Sequence, residues 1–212
     1  VNPSVFSEIQ REWDLNKRES HLNLIISGSV FTLMKRIFED YKEPLFGRAN
    51  CQMHIRPFST SVLKQILSDH NPFYTGDDLL SLFSITGGIP WYVALLMDKG
   101  HTTKDRMLGY LTEENSPFIH EGKNILIEEF GPDYGMYFSI LTCIAGGMRT
   151  RGEIEGELQE SNISSYLNRL ENYYGLIARS LPIFAKVSSK KTRYMLSDCF
   201  LTLWFRFFYK YQ

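Results

Sequence analysis

The sequence predicts a mainly helical protein that opens on a small α/β piece and closes on three helices followed by a basic β-hairpin. Three observations carry that expectation. Apolar residues recur every three or four positions through most of residues 59–172, the spacing of one helix face. Two short apolar runs near residues 22–26 and 51–57 flank a helical pattern, which is the strand, helix, strand order of an α/β layer. Near the end, two β-rich segments enclose the polar, basic stretch Ser188-Ser189-Lys190-Lys191-Thr192.

Taken in order, Asn2-Pro3-Ser4 followed by Phe6, Ile9 and Trp13 reads as a capped amphipathic helix ending near Asn16, because proline is accommodated in a first turn and the apolar side chains repeat at near-helical spacing. Leu22, Leu24, Ile25 and Ile26 then close on Ser27-Gly28-Ser29, the pattern of a buried parallel strand running into a polar loop. Phe31, Met34, Ile37, Phe38 and Tyr41 begin a second amphipathic helix. Met53, Ile55 and Pro57, separated by polar or charged residues, predict a second short strand.

From Ser59 the pattern turns helical. Ser59 is placed to cap a helix carrying Val62, Ile66 and Leu67, and Thr75 with Asp78 has the spacing of a capping box before Leu79, Leu80, Leu82 and Phe83. Gly87-Gly88 supplies a left-handed stop, and Pro90 suits the first turn of a helix over 91–97. Two further helices are expected over 103–111 and 116–130. Turn residues Gly131-Pro132-Asp133 mark a boundary. Beyond it, Met136, Ile140, Leu141 and Ile144 define a helix stopped at Gly146-Gly147. Thr150 caps a second with Ile154 and Leu158, and Ser161 or Asn162 caps a third with Ile163, Leu167 and Leu170. Segments 176–187 and 193–196 then flank the basic tip. Three helices and a hairpin in that order predict a winged helix-turn-helix.

Composition bounds the function. The 212 residues, 43% of them apolar, are enough for one large or two small domains, and two are favoured. No stretch approaches the roughly 18 uninterrupted apolar residues of a membrane span, and the first residues lack a signal-peptide layout, so a cytoplasmic protein is expected. Cys51, Cys143 and Cys199 are odd in number and outside any C-x-x-C, which supports neither a disulfide framework nor a thiolate metal site. The net charge of −1 divides unevenly: residues 1–134 carry 13 Lys/Arg against 18 Asp/Glu, and residues 135–212 carry 10 against 6. The surplus of four positive charges at the end fits either a polyanion partner or ordinary surface variation.

Several fragments that mimic catalytic motifs fail on inspection. Gly122-Lys123 is no phosphate loop, since Pro117 stands where the leading glycine belongs and Asn124 where the Mg²⁺-binding Ser/Thr belongs. Ile125-Leu126-Ile127-Glu128-Glu129 ends in paired carboxylates but sits in a helical pattern. The five histidines are scattered, Cys51-x-x-His54 has no second pair, and no G-x-S-x-G elbow occurs. No self-sufficient catalytic or metal site is predicted.

More specific is an ordered set: Leu22-Asn23-Leu24-Ile25-Ile26-Ser27-Gly28-Ser29, then Pro44-Leu45-Phe46-Gly47-Arg48, then Thr86-Gly87-Gly88-Ile89-Pro90, then the winged-helix pattern and Trp204-Phe205-Arg206-Phe207. Over nearly the whole chain this order resembles the archaeal-type ATPases, a branch of the AAA-like P-loop NTPases related to the STAND switch proteins. The resemblance implies three parts: a remnant of the α/β ATPase core with the sensor-1 region (1–58), a helical lid (59–132), and a winged-helix domain with a C-terminal aromatic helix (133–212). It implies that Ser27 or Ser29 lies near the γ-phosphate or attacking water, the alternative being a loop serine that caps the next helix. It makes Arg48 a candidate arginine finger, the alternative being an ion-paired surface arginine. It makes Gly88 and Pro90 part of the G-x-P motif that packs near the nucleotide base, the alternative being a plain helix stop and start.

The family's phosphate loop and Walker B acid would lie upstream of Val1. The resemblance therefore implies a longer parent that binds ATP and Mg²⁺ while this portion alone is catalytically inactive. Loss of the central strand would leave the first part rearranged or oligomerised. Many relatives continue into a nuclease-like domain, for which Phe200, Leu203, Trp204, Phe207, Phe208 and Tyr211 would form a docking helix, the alternative being packing on the winged helix. The leading expectation is a nucleotide-dependent switch. A second is a winged-helix DNA-binding transcriptional regulator, in which Ser164, Ser165, Asn168 and Arg169 face a groove and Lys190, Lys191 and Arg193 contact phosphates, opposed by Glu171 and by Glu153, Glu155, Glu157 and Glu160. A third is a protein-interaction adaptor. The homo-oligomer and the missing P-loop part are the remaining partners implied.

Overall fold

The helical periodicities are realised almost throughout, whereas the two apolar runs of the first third form no strands. A computed structural model of the chain describes residues 3–28, 31–183 and 192–211. They fall into two compact units, Val1–His54 and Ile55–Gln212.

In the first unit, α1 (Pro3–Asn16) half-buries Phe6, Ile9 and Trp13, and α2 (Phe31–Glu39) buries Ile37; Leu45 is also buried. No strand occurs over residues 22–27 or 51–57, so the expected α/β layer is absent from the described residues. Leu22, Leu24 and Ile25 are 65%, 44% and 81% exposed, and Met53 and Ile55 80% and 79%. The physical reason is non-local: a parallel strand is held by a ladder to neighbours on the sheet and by cover on both faces, and neither run meets such a neighbour.

The second unit is a stack of nine helices, among the described residues, around one core. Ser59 caps α3 (Thr60–His70) by accepting from the Val62 N–H. Thr75 and Asp78 form the expected capping box at the start of α4 (Gly76–Thr86). Asp78 does more than the spacing implies, because its second oxygen accepts the Lys104 N–H at 2.6 Å and so pins the start of α6 (Lys104–Leu111) to the start of α4. Between them, α5 (Pro90–Asp98) carries Pro90 at its first turn and buries Tyr92, Val93, Leu96 and Met97. The long α7 (Phe118–Phe130) passes through the turn Gly131–Asp133 into α8 (Tyr134–Ala145). That turn lies inside continuous packing, since Phe130 stacks on Tyr137 with centroids 4.6 Å apart.

Thr150 and Glu153 make the second capping box, opening α9 (Arg151–Leu158). The next cap departs from expectation. α10 (Ser164–Asn172) takes no cap from Ser161 or Asn162; its entry is held by Glu155 of α9, whose carboxylate accepts the Asn162 and Ile163 N–H groups at 3.1 and 3.3 Å while pairing with Arg151 at 2.7 Å. Asn162 itself sits at φ +73°, a left-handed geometry that removes it from the cap position. After α10 come β1 (Ile177–Ser180) and β2 (Arg193–Leu196), antiparallel in the register Ile177 with Leu196 and Ser180 with Arg193. On the other edge of β2, the Tyr194 N–H donates to the Arg149 carbonyl at 2.7 Å, which adds the link between α8 and α9 to the sheet.

α11 (Cys199–Leu203), capped by Asp198, runs into a π-helical turn, Trp204–Phe208. The aromatic run expected to dock a further domain lies largely in the core of this unit. Phe200, Trp204 and Phe205 are buried, Leu203 and Phe208 are half-buried, and Phe207 is 63% exposed, while the side chain of Tyr211 lies outside the described residues. The Trp204 indole N–H donates to the Ile119 carbonyl of α7 at 2.8 Å. Gly122 on α7 makes room for that ring, because a Cβ there would lie 2.3 Å from Trp204 Cδ2. The glycine of the rejected Gly-Lys pair thus has a packing role.

Candidate functional site

The Gly87-Gly88-Ile89-Pro90 turn is the most constrained of the expected positions. Thr86, fully buried, donates through Oγ1 to the Leu82 carbonyl at 2.7 Å and accepts the Gly88 N–H at 3.1 Å. Gly87 and Gly88 then take φ +57° and +79°, which side chains disfavour. The Phe58 N–H donates to the Gly88 carbonyl at 2.7 Å, and a Cβ on Gly88 would lie 2.3 Å from the Phe58 oxygen. On its other side, a Cβ on Gly87 would rest 3.6 Å from Cys199 Cβ, at the start of α11. The turn is therefore gripped between the segment that leads into α3 and the helix that follows the hairpin. Pro90 and Trp91 stand exposed beyond it, Trp91 by 52%. Nothing in the turn is nucleophilic or titratable. What it provides is a rigid link between two distant stretches of chain.

Next to that link, burial pushes the Asp198 carboxyl above its ordinary value, only partly offset by the amides of Leu201 and Phe200 that it caps, and burial together with Asp198 pushes the Cys199 thiol up. Tyr92, raised by burial and by Glu121, donates its hydroxyl to Glu121 at 3.1 Å.

The positions expected near a phosphate are described only in part. Ser27 is exposed and outside any strand, and Ser29 lies outside the described residues. Arg48 is held within its own unit: Nη2 and Nε donate to Asp14 at 2.7 and 3.1 Å, and Nη1 to the Phe46 carbonyl at 3.2 Å. The hydrogen bond to Arg48 holds the Asp14 carboxyl below its usual range, and Asp14 in turn raises Arg48.

On α10, Ser165 and Asn168 are exposed and Ser164 half-buried. Arg169 is turned toward aromatic rings, its guanidinium carbon 5.8 Å from the centroids of Tyr137, Tyr173 and Tyr174. Arg193 is exposed at the start of β2, while Lys190 and Lys191 lie outside the described residues. The acids that would repel a phosphate backbone are largely engaged. Glu153 accepts the Arg149 and Thr150 amides at 2.8 Å each, which lowers its pKa. Glu155 pairs with Arg151, and Glu171 with Arg179 at 3.2 Å. Glu157 and Glu160 are exposed.

Sequence reasoning missed Phe58, whose backbone holds Gly88, and the aromatic surroundings of Arg169; both depend on contacts between distant residues and leave no local spacing. Among the described residues no group of three or more His, Cys, Asp or Glu converges in a way that suits a metal ion, and no helix is long and apolar enough to cross a membrane.

In comparison with known proteins, the chain is 30% identical over 213 residues to an uncharacterized protein of Methanocaldococcus jannaschii, an alignment that takes in 98% of this chain and 46% of that protein. The chain thus spans about half the length of the curated relative it matches. No family model matches it, and no solved structure does.

Proposed function

We propose that this chain is the sensor, lid and winged-helix portion of an ATP-dependent molecular switch of the AAA-like, STAND-related kind, with the phosphate loop, the Mg²⁺ site and the Walker B acid supplied by other parts of the same polypeptide. The observation that carries this reading is the clamped Gly-Gly-Ile-Pro turn. A nucleotide base resting near Pro90 would press on a loop that touches Phe58 on one side and Cys199 on the other, so its presence would be relayed to α11 and the hairpin. Further support comes from α8, α9, α10 and the hairpin, whose order, with Arg149 bonded to the free edge of β2, matches the plan of a winged helix. The exposed apolar residues Leu22, Leu24, Ile25, Met53 and Ile55 are surfaces that the sheet strands of an ATPase core would cover. A relative about twice as long as the aligned segment has room for such a core.

In this reading Ser27 or Ser29 senses the γ-phosphate, Arg48 leaves Asp14 to offset transition-state charge, and Gly88 and Pro90 contact the base. ATP turnover by the full-length protein tests it: Arg48→Ala is expected to slow hydrolysis by about 10³-fold or more, the scale of a lost arginine finger, and Pro90→Ala to raise the ATP concentration needed for half-maximal turnover, and unchanged turnover in both variants would remove the proposed roles.

A second reading is favoured by one observation. Because Glu153, Glu155 and Glu171 are engaged with amides or arginines, the α10 face is less hostile to DNA than its composition implies, and Ser165 and Asn168 are exposed on it, Asn168 through a side chain whose oxygen accepts from Asn172 at 2.7 Å. The protein then acts as a DNA-binding regulator, alone or as a homo-oligomer. Fluorescence anisotropy with duplex DNA at low and high salt decides this: binding that weakens with salt and with Arg193→Ala supports it, and no binding at low salt rules it out.

A further inference from the structure

We infer that the cleft between the end of α5 and one face of α6 is a binding site for a small phosphate-bearing ligand. Its volume is about 330 Å³, at the lower end of the roughly 300–1,000 Å³ that small-molecule sites occupy. It lies at the opposite end of α5 from Pro90, and it stands independently of the nucleotide-switch reading.

The floor of the cleft is made by glycine where glycine is unfavourable. Gly109 sits inside α6, where it costs about 1 kcal/mol relative to alanine. No atom comes within 4 Å of the place its Cβ would take, so no packing contact explains it. The same is true of Gly100, whose φ of +70° also turns the chain out of α5. A Cβ at either of these lining positions would stand in open space.

The walls are mainly basic, with Glu113 as the one acid among the lining residues. Neither Lys99 nor Arg106 takes part in an ion pair among the described residues, and the hydrogen bond from Arg106 to the Gly100 carbonyl is long at 3.4 Å. These groups are not loose. Buried Tyr110 lies under both His101, stacked on it at 4.6 Å, and the Lys99 ammonium, 5.8 Å from the ring centre. One anchored ring thereby mounts an ammonium and an imidazole in place, and Arg106 comes from the neighbouring turn of α6. Groups held in place before binding lose less freedom when a ligand arrives. An ammonium, a guanidinium and an imidazole lining one cleft can supply donors to the three terminal oxygens of a phosphate, which uses more of them than the two oxygens of a carboxylate. Glu113, the acid of the lining, rejects a second anion and accepts a hydroxyl or amine of the bound molecule, which fixes the ligand's orientation.

The test follows the His101 ring resonances of the full protein by NMR during titration with inorganic phosphate, AMP and succinate. Phosphate and AMP are expected to shift them saturably. Arg106→Gln and Gly109→Ala are each expected to raise the midpoint by about tenfold, the first by removing a charge-assisted donor and the second by filling the floor. Gly109→Ala is also expected to raise the unfolding midpoint in urea, so loss of binding there cannot be attributed to unfolding. Absence of a saturable shift, equal midpoints for the variants and the native protein, or a succinate midpoint equal to that of phosphate would each overturn the assignment.

Discussion

Gly88 and Gly122 each stand where a single added carbon would strike a neighbour, the Phe58 oxygen in one case and the Trp204 ring in the other, both at 2.3 Å. Gly122→Ala is expected to lower stability by about 1–3 kcal/mol, the usual cost of overpacking, read as a lower urea midpoint with an unchanged slope. Gly88→Ala adds the strain of a left-handed alanine to its clash and is expected to cost about 2 kcal/mol or more. Two aspartates titrate in opposite senses. At Asp78 burial opposes ionisation, but the donors from Lys104 and Thr75 outweigh it and hold the pKa below 3.8. Its contribution is therefore present above the unfolded value and lost as pH falls through the lowered one. Asp198 is raised above 3.8 by burial. Its contribution is full below the unfolded value and declines as pH rises through the raised one. Urea unfolding across the acid range is expected to show Asp78→Asn losing stability at neutral pH and Asp198→Asn removing the decline while keeping the cap, since asparagine also caps well.

Helices and their caps were legible in the sequence because they are decided within a few residues. Ser59, the Thr75 and Asp78 box, Gly87, Pro90 and the Thr150 cap all sit where spacing put them, and Glu153 goes beyond the expected cap by completing a capping box at Thr150. Thr150→Ala is expected to cost about 1 kcal/mol, typical of a lost N-cap. The expectations that failed depended on partners far away. Residues 22–27 and 51–57 have the composition of strands but no ladder to join. The entry to α10 is held by Glu155 rather than by Ser161 or Asn162, because the preceding helix delivers a carboxylate to those amides. Glu155→Ala is expected to speed hydrogen exchange at Asn162 and Ile163 while leaving α8 protected. The candidate site was half legible for the same reason: the glycines and Pro90 are visible as a stop and start, but the grip of Phe58 and Cys199 upon them comes from the tertiary fold.

At the scale of the whole chain, the second unit is one continuous core from Leu63 to Phe205, so the parts that the sequence divides at Gly131 share their packing. Phe130 and Tyr137 stack across that turn, and Trp204 reaches back to α7. A core of this kind passes a displacement from one side to the other through packed groups with few soft joints, which suits a relay. The Gly-Gly-Ile-Pro turn lies where such a relay would start, bonded to Phe58 and resting on α11. The measurement that tests this most directly is amide hydrogen exchange of the full-length protein with and without ATP and Mg²⁺. If the turn reports the nucleotide, protection at Phe58 and at Asp198 to Leu201 changes by about tenfold or more on binding, a coupling of the usual allosteric size. Exchange at these amides that stays the same while ATP is demonstrably bound would contradict the switch.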